Sequence, residues 1–316
     1  MKVLVTGANG FIGRAVCRRL LAAGWEVHGA VRRQVDLPEG VVARRISALG
    51  PGIPWAETLA GMRAVVHLAA RVHVMRDEAA DPLAEYRRVN TEATLHLMRE
   101  ARRVGVGRLV FMSSIKVNGE ATEARPFTAA DPPAPQDPYA VSKYEAEEGL
   151  AELARGSSVR VTILRPPLVY GPGVGGNFLA LLRAVARGWP LPLGAVANRR
   201  SLLFVDNLAD AVAKVMGEPT GECETFVLRD GEDVSTAELA RRLGRCLGRP
   251  ARLPPVPLSL LALAGRLTGR AAAVARLTGS LTVDDSAFRR RFAWEPPFTL
   301  DQGLETTAAW FRAAAP

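Results

Sequence analysis

Three glycines close to the N-terminus place the strongest constraint on how this chain can fold. They occupy positions 7, 10 and 13 in the run TGANGFIG (6–13), directly after a β-branched segment at 2–6 and at the start of a helical pattern over 11–23. In a strand–turn–helix unit, such glycines permit a tight turn, close approach of the backbone to a pyrophosphate, and close packing of helix on strand. A diphosphate at this point faces the free N–H groups of the helix start. The segment predicts a dinucleotide-binding turn whose cofactor contacts are Gly7, Asn9, Gly10, Phe11, Ile12 and Gly13.

Strands and helices alternate over the first half of the chain. The pattern predicts strands at 2–6, 26–31, 41–47, 64–68, 108–112 and 160–164, a long helix at 82–104 and another helix at 138–155. Such alternation is typical of a parallel sheet with right-handed crossovers. After Pro167, glycine and proline become frequent and the alternation weakens. We therefore predict an α/β fold, with a Rossmann-type doubly wound parallel sheet in 1–170, to which part of 200–230 returns, and a smaller C-terminal α/β substrate domain in 171–316.

The composition is that of a globular protein, and it narrows the function. The chain has 41 basic and 32 acidic residues, a formal net charge of +9, and 37 of the basic residues are arginines. Those arginines are spread along predicted helices rather than gathered in a tail or a known motif, so we expect no nucleic-acid partner. Three scattered cysteines and four histidines (28, 67, 73 and 96) show no metal-ligand spacing, so we expect no metal site. The N-terminus lacks the pattern of a signal peptide, which favours a cytoplasmic protein.

The segment 256–278 is rich in leucine and alanine. Its longest apolar stretch, from Leu258 to Leu277, is interrupted by three arginines, so we expect no integral membrane segment. We expect instead one or two amphipathic helices packed on the body of the protein. A peripheral contact with anionic lipid is the alternative, because Leu-rich and Arg-rich helix faces can lie on such a surface.

The residues after the second predicted strand bear on the choice of cofactor. An Asp or Glu there would bind the ribose hydroxyls of NAD, whereas an Arg would pair with the 2′-phosphate of NADP. The chain has Arg32 and Arg33 at this point and no acid before Asp36. We therefore predict NADP (NADPH) as the cofactor. NAD is the alternative, and the two arginines would then be an ordinary solvated pair.

A tyrosine and a lysine lie one helical turn apart in YAVSK (139–143). At positions i and i+4 they share a helix face, and a cation beside a phenol lowers its pKa from about 10 because it stabilises the phenolate. Tyr139 is thus a candidate general acid or base, and Lys143 is the group that tunes it. Ser114 follows the predicted strand 108–112, at the sheet edge where ligands of open α/β sheets bind, and its hydroxyl can donate to a carbonyl oxygen.

Together these residues resemble the extended short-chain dehydrogenase/reductase superfamily. The glycine turn, LAA (68–70), Ser114 and the Tyr139/Lys143 pair match its motifs, and LRPPLVYGPG (164–173) is similar to its LRP…VYGPG segment. The resemblance implies that Ser114, Tyr139 and Lys143 are catalytic, that the substrate is a UDP-sugar, and that a homodimer forms through two long helices. Asn90, in the long helix, is a candidate for either a structural or a cofactor-supporting role. The further cofactor contacts expected are Leu68, Ala69, Ala70, Asn90, Tyr139, Lys143 and Pro166.

Substrate contacts are expected from four residues. RSLLFVD (200–206) is similar to the family's R-x-φ-φ-x-V-x-D segment (φ, apolar), whose Arg contacts the nucleotide phosphates, so the resemblance gives Arg200 that role. A forked guanidinium suits a diphosphate. Asn177 follows glycines 171, 173, 175 and 176 and resembles a substrate-contacting helix start. Ser114 and Lys116, near the catalytic pair, complete the set.

Two departures from the patterns of the superfamily narrow the reaction. Sugar-nucleotide 4,6-dehydratases carry Asp-Glu after the Ser or Thr, where this chain has Ile115-Lys116, and typical NAD-bound 4-epimerases have an acid after the second strand. SSIKVNGE (113–120) is most similar to bacterial polysaccharide-pathway enzymes that reduce UDP-4-keto-6-deoxy-N-acetylhexosamines. The prediction is therefore NADPH-dependent reduction of the C4 ketone of a UDP-sugar. A UDP-hexose (or UDP-N-acetylhexosamine) 4-epimerase with tightly bound NAD is the first alternative, and a non-catalytic NADP-binding regulator is the second.

Overall fold

The computed structural model describes residues 1–72 and 81–314. Its strands are β1 (Lys2–Thr6), β2 (Glu26–Val31), β3 (Val42–Arg45), β4 (Ala64–His67), β5 (Arg108–Met112), β6 (Arg160–Arg165), β7 (Leu168–Tyr170), β8 (Arg200–Phe204), β9 (Cys223–Val227) and β10 (Asp233–Val234). Its α-helices are α1 (Phe11–Ala22), α2 (Trp55–Leu59), α3 (Pro82–Tyr86), α4 (Ala93–Arg103), α5 (Pro138–Ala154), α6 (Gly176–Ala186), α7 (Val205–Gly217), α8 (Thr236–Cys246), α9 (Leu258–Leu267), α10 (Ala271–Thr278), α11 (Ser286–Phe292) and α12 (Leu300–Ala314).

Seven parallel strands of the described residues form the main sheet, in the order β3-β2-β1-β4-β5-β6-β9. The strand order reverses between β1 and β4. In open α/β sheets, ligands bind in the crevice at such a switch point, outside the carboxyl ends of the strands. The predicted Rossmann-type fold is therefore confirmed, and the expected functional edge of the sheet is the one where β1, β4 and β5 end.

The side chains of the central strands alternate between two buried layers. Val3 and Val5 belong to the apolar cluster that includes α1 and α7, whereas Leu4 belongs to the cluster on the opposite face, with Leu97 of α4. All three strand side chains are fully buried. Because helices cover both faces, these strands read as continuous apolar runs rather than as an apolar–polar alternation.

The segment after β6 builds a second, smaller sheet. Its strands are β10, β8 and β7 in that order, with β7 parallel and β10 antiparallel to β8. Tyr170 packs in its core, with ring centroids 5.3 Å from Phe178 and 5.6 Å from Phe204, and its hydroxyl donates to Asp230 at 2.9 Å. Strand β9, which lies within the segment 200–230, pairs with β6 in the main sheet. The division into domains at residue 170 stays a proposal.

The long helix predicted at 82–104 consists of α3, a π-helical turn (Arg87–Glu92) and α4. The extra residue of the wider turn directs Asn90 inward, where it is buried. Such π-turns occur often at functional sites. Two short elements were not predicted, namely α2 and a 3₁₀ turn at Ile115–Val117, because neither is long enough to produce a periodic pattern.

The segment 256–278 forms the two helices that its sequence predicts, α9 and α10. The expectation that they pack on the body is wrong for the side chains of both helices, because Gly265 alone is buried in α9 and no residue is buried in α10. Among the described residues, we find no helix with the length and apolar character needed to traverse a bilayer.

Candidate active site

The glycine turn has the backbone geometry that a dinucleotide needs. Gly7 has a φ of +69°, a left-handed conformation that favours glycine, and a Cβ at this position would lie 2.9 Å from the backbone N of Ala69. A Cβ on Gly13 would overlap the carbonyl oxygen of Gly7. Helix α1 starts at Phe11 and has Gly10 as its N-cap, so no side chain of the cap residue covers the first N–H groups. The turn therefore fits the diphosphate of a dinucleotide.

The ends of β1 and β4 are joined by buried hydrogen bonds beside this turn. The Thr6 hydroxyl lies 2.7 Å from His67 Nδ1, and it accepts from the backbone N–H groups of Leu68 and Ala69, both at 3.2 Å. Burial lowers the pKa of His67 to about 3, and the nearby charge of Lys143 lowers it further, so the ring is neutral. The predicted contacts 68–70 thus line the switch point next to Gly7.

Asn90 holds the loop after β4 in place. Its side-chain oxygen accepts from the backbone N–H of Arg71 at 2.7 Å, and its side-chain nitrogen donates to the Arg71 carbonyl and to the Ser142 hydroxyl, both at 3.0 Å. Ser142 donates in turn to the carbonyl of Tyr139 at 2.8 Å. The amide is therefore used by protein atoms. Of its two predicted roles, the geometry supports the structural one.

Arg32 and Arg33 follow β2 directly, as predicted, and both are exposed. Nearby, Arg14 donates to the carbonyl oxygens of Asp36 at 2.6 Å and of Asn9 at 3.3 Å, which ties this loop to the glycine turn. The segment between β2 and Asp36 therefore presents two exposed guanidinium groups and has no carboxylate at the position where an NAD-specific site has one.

Ser114 and Tyr139 come together at the carboxyl edge of the sheet. Ser114 follows β5, its backbone starts the 3₁₀ turn, and Tyr139 stands in the first turn of α5. The Ser114 side chain is close enough to the Tyr139 phenol to act on its pKa. Burial raises the pKa of Tyr139 to about 12, and the interaction with Ser114 works in the opposite direction. The 3₁₀ turn is also bonded to the segment after β6, because Ile115 N–H donates to the carbonyl of Pro166 at 3.0 Å.

Lys143 lies one turn further along α5, and its ammonium contacts a different group from the one expected. Its Nζ donates to the Met112 carbonyl at 2.8 Å and lies 4.5 Å above the Phe111 ring. Burial lowers the pKa of Lys143 to about 7, although Glu147 opposes that shift. The expected lowering of the Tyr139 pKa by Lys143 is absent from this structure, because the lysine points to the end of β5 and burial dominates at the phenol.

Lys116 connects the turn after Ser114 to the start of α5. Its Nζ lies 2.6 Å from Asp137 Oδ2 and 2.8 Å from Glu120 Oε1, and Asp137 caps α5 by accepting from Ala140 N–H at 2.7 Å. The two carboxylates raise its pKa, although burial opposes them. The predicted substrate contact is thus an ion-paired residue that also positions the two elements carrying Ser114 and Tyr139.

A buried ion pair behind the catalytic residues was not predicted. Glu147 and Arg165 form it, with Arg165 Nε 3.0 and 3.1 Å from the two Glu147 oxygens, and both side chains are almost fully buried. Glu147 also accepts from the Ser113 hydroxyl, and Arg165 donates to Asn118 Oδ1 at 3.0 Å. The only signal in the sequence is that Glu147 lies at i+4 from Lys143, on the same helix face.

The other two predicted substrate contacts, Asn177 and Arg200, lie in α6 and at the start of β8. A Cβ on Gly173 would lie 3.5 Å from Phe11, so the loop before α6 approaches the turn, and Asn177 is exposed in the first turn of α6. Arg200 starts β8, and its Nη1 donates to the carbonyls of Arg276 at 2.9 Å and Gly279 at 3.1 Å. Burial lowers the pKa of Arg200, and the charge of Glu120, which also pairs with Lys116, opposes that shift.

Metal ligands are not clustered in the described part of the chain. Within residues 1–72 and 81–314, no three His, Cys, Asp or Glu side chains form a group that could hold an ion, and the cysteines there are unpaired. His73 lies outside the described residues.

Comparison with known proteins identifies the family. Residues 3–228 match the model of the NAD dependent epimerase/dehydratase family. The chain is 42% identical over 315 residues to a UDP-glucose 4-epimerase of Vibrio cholerae, covering 99% of this chain and 96% of that protein. It is 33% identical to a 3-diazoavenalumate denitrifying reductase of a Streptomyces species, covering 94% and 96%.

A solved structure agrees with this assignment. MoeE5 in complex with UDP-glucose and NAD superposes with a TM-score of 0.80 at 28% identity, covering 99% of each chain. The predicted class of enzyme is confirmed by the family match, whereas the narrower resemblance to 4-reductases is more specific than these matches support. The chain belongs to the NAD dependent epimerase/dehydratase family.

Proposed function

We propose that this protein is a UDP-sugar 4-epimerase that keeps its nicotinamide dinucleotide bound throughout the reaction. The observation that carries the proposal is the interacting Ser114/Tyr139 pair in a fold whose glycine turn fits a diphosphate. The high identity to a UDP-glucose 4-epimerase over nearly the whole chain supports this reaction over the reduction predicted from sequence. The 4-reductase predicted from the sequence therefore becomes the second candidate.

The residues at the sheet edge have distinct tasks in such a reaction. A bound nicotinamide dinucleotide supplies reversible hydride transfer at C4 of the sugar. Tyr139 removes the proton from the 4-hydroxyl oxygen and later returns it, and Ser114 donates a hydrogen bond to that oxygen. A phenol whose pKa is about 12 holds its proton at neutral pH, so Tyr139 needs stabilisation of the phenolate before it acts as a base. The Ser114 hydroxyl provides part of it, and the ammonium form of Lys143 provides the rest when it turns from Met112.

The diphosphate of the substrate would lie between α6 and β8. We assign Arg200 to the phosphate oxygens, because its guanidinium is partly buried and, among the described residues, its hydrogen bonds go to two carbonyls from one nitrogen. An arginine has five N–H donors, so the other edge of the fork can still donate to an anion. Asn177, exposed at the start of α6, is assigned to the same substrate end.

We infer NAD as the cofactor of the epimerase. Re-reducing the same carbon regenerates the cofactor in each cycle, so an epimerase has no need to exchange it with the NADP pool. The MoeE5 structure, which contains NAD, has the same fold along its whole length. The exposed Arg32/Arg33 pair is then a solvated surface feature.

The Arg32/Arg33 pair favours the second candidate, an NADPH-dependent reductase of a UDP-4-keto sugar. A net reductase consumes one reduced cofactor per turnover, and two arginines with no nearby acid after β2 suit the 2′-phosphate of NADPH. The catalytic residues would be the same, with Tyr139 acting only as a proton donor.

One incubation separates the two candidates. Purified protein is mixed with UDP-glucose without added cofactor, and the UDP-sugars are separated by anion-exchange chromatography. The epimerase proposal predicts that the C4 epimer forms and that denatured protein releases NAD. If no epimer forms, while NADPH is oxidised with a UDP-4-keto-6-deoxy-hexose, the reductase is the correct assignment.

A further inference from the structure

Helix α9 exposes an apolar face that nothing in the described structure covers. Four of its leucines are exposed, namely Leu258 at 47%, Leu260 at 54%, Leu263 at 52% and Leu267 at 79% of their surface. Soluble monomers seldom expose contiguous apolar patches of this kind unless the patch is a site of interaction. The face is therefore a candidate docking surface.

The spacing of these leucines places them in one row along the helix. Leu260, Leu263 and Leu267 lie at i, i+3 and i+7, so they share one face of α9. Gly265 lies on the opposite face, where a Cβ would come within 2.8 Å of the Val274 side chain. Helix α10 thus packs closely against the inner face of α9, and the leucine row points away from the hairpin.

The charge around this face has one sign. From Arg249 to Val283 the sequence contains five arginines and neither Asp nor Glu. Arg266, Arg270 and Arg276 are all exposed on or between the two helices. A row of leucines flanked by exposed arginines is the pattern of a helix that lies in the interface of an anionic bilayer.

An exposed tryptophan lies next to the base of the hairpin. The segment that follows Trp189 is hydrogen-bonded to the chain entering α9, since Leu191 N–H donates to the Arg252 carbonyl at 2.8 Å. Trp189 is exposed, and the Arg187 guanidinium lies 5.2 Å from its ring. Tryptophan and arginine are both favoured at the headgroup level of a membrane.

We propose that α9, α10 and Trp189 form a surface that docks this protein on an anionic phospholipid bilayer. A second copy of the chain is the less suitable occupant, because a two-fold contact through this face would bring its own arginines together with no carboxylates to offset them. A bilayer that contains phosphatidylglycerol or another anionic lipid supplies both apolar depth and negative charge. The inference does not depend on which reaction the site catalyses.

Docking would bring the substrate end of the site to the membrane surface. The end of α10 is bound directly by Arg200, which donates to the carbonyls of Arg276 and Gly279. The following segment pairs with β8 and with the loop after the 3₁₀ turn, since Thr122 N–H donates to the Ser280 carbonyl at 2.8 Å. The hairpin is therefore connected to the residue assigned to the diphosphate.

The test measures sedimentation of the full chain with unilamellar vesicles, either of phosphatidylcholine alone or with about one quarter phosphatidylglycerol. We expect at least about tenfold stronger binding to the anionic vesicles, and weaker binding at high salt. The variant Leu260→Ser/Leu263→Ser/Leu267→Ser should lose about tenfold or more of that binding. Val42→Ser/Val104→Ser, which alters exposed apolar residues elsewhere, is the matched control and should bind as the parent does.

Folding and self-association are measured on the same samples. Circular dichroism and activity without vesicles should be unchanged in the leucine variant, and if it does not fold, Arg266→Gln/Arg270→Gln/Arg276→Gln replaces it with the same expected loss. The proposal is overturned if the parent does not bind anionic vesicles, or if the variants bind as well as the parent. It is also overturned if light scattering shows that the leucine variant lowers the molar mass, since a second copy would then cover the face.

Discussion

The Ser114 hydroxyl lowers the pKa of the Tyr139 phenol against the effect of burial, although one side chain follows β5 and the other stands on α5. The two groups meet at the carboxyl edge of the sheet, where the switch point between β1 and β4 creates a crevice. A sugar oxygen that contacts both groups would meet a proton carrier and a hydrogen-bond donor at once.

Removing the Tyr139 hydroxyl should stop catalysis without disturbing the fold. We expect Tyr139→Phe to lower kcat about 10²–10⁴-fold, the contribution typical of general acid–base catalysis, with unchanged cofactor content. Tyr144→Phe is the control, because Tyr144 lies on the same helix and its hydroxyl donates to Glu148 near the surface. Near-normal turnover in Tyr139→Phe would remove this residue from the mechanism.

Arg200 should act on substrate affinity. Loss of a charge-assisted contact with the diphosphate corresponds to about 1.5–3 kcal/mol, so Arg200→Ala should raise KM for the UDP-sugar at least about tenfold. The neighbouring Arg199 is exposed and pairs with Asp233 at 3.3 Å, so Arg199→Ala serves as the control and should leave KM unchanged. Equal KM values for the two variants would contradict the assignment of Arg200.

The arginines after β2 predict how the protein distinguishes two dinucleotides. If Arg32 and Arg33 bind a 2′-phosphate, replacing both with Ala should weaken NADPH binding about 10- to 150-fold while NADH binding stays the same. Fluorescence titration of cofactor-free protein gives both constants. If the replacement changes the binding of NADPH and of NADH equally, Arg32 and Arg33 are surface residues, in agreement with an NAD epimerase.

The buried Glu147–Arg165 pair should be important for stability. Glu147→Leu leaves the Arg165 guanidinium buried without its carboxylate, and breaking such a pair lowers the free energy of unfolding by about 3–5 kcal/mol. Glu148→Gln, one position along and exposed, should change it by less than about 0.5 kcal/mol. Urea unfolding followed by circular dichroism measures both. If Glu147→Leu/Arg165→Met is as unstable as Glu147→Leu, the unpaired charge of Arg165 is not the cause of the lost stability.

His67 should make the protein sensitive to mild acid. Its pKa is about 3 in the folded protein and about 6.5 when unfolded, so the unfolded chain takes up the proton first as pH falls. The free energy of unfolding therefore decreases below about pH 6.5, by about 2 kcal/mol at pH 5 from this group alone. In His67→Gln that part of the pH dependence should disappear. Unfolding curves at pH 7 and pH 5 with the same difference in both proteins would contradict the buried neutral ring.

The sequence predicts best what depends on local backbone geometry. The glycine turn is such a feature, because only glycine fits the left-handed φ of Gly7 and the contact of Gly13 with the Gly7 carbonyl. The strand–helix alternation likewise predicts the main sheet, since apolar runs and their spacing are local properties. The positions of Ser114 and Tyr139 at one sheet edge then follow from the parallel topology.

What the sequence does not predict are contacts between elements far apart along the chain. The partner of Glu147 comes from β6, and Lys143 contacts a carbonyl at the end of β5, so neither contact has a signature within one segment. The exposure of α9 is a further case. Its periodicity predicts a helix, but whether another element covers its leucines depends on tertiary packing.

The most direct test of the proposed reaction follows the hydrogen on C4 of the sugar. UDP-glucose deuterated at C4 is incubated with the protein in ordinary water without added cofactor, and both hexoses are analysed by mass spectrometry and NMR. An epimerase that oxidises and re-reduces the same carbon at a retained cofactor predicts that the C4 epimer forms with its deuterium still at C4. Loss of the deuterium to solvent, or no epimer at all from protein that contains bound dinucleotide, would contradict it.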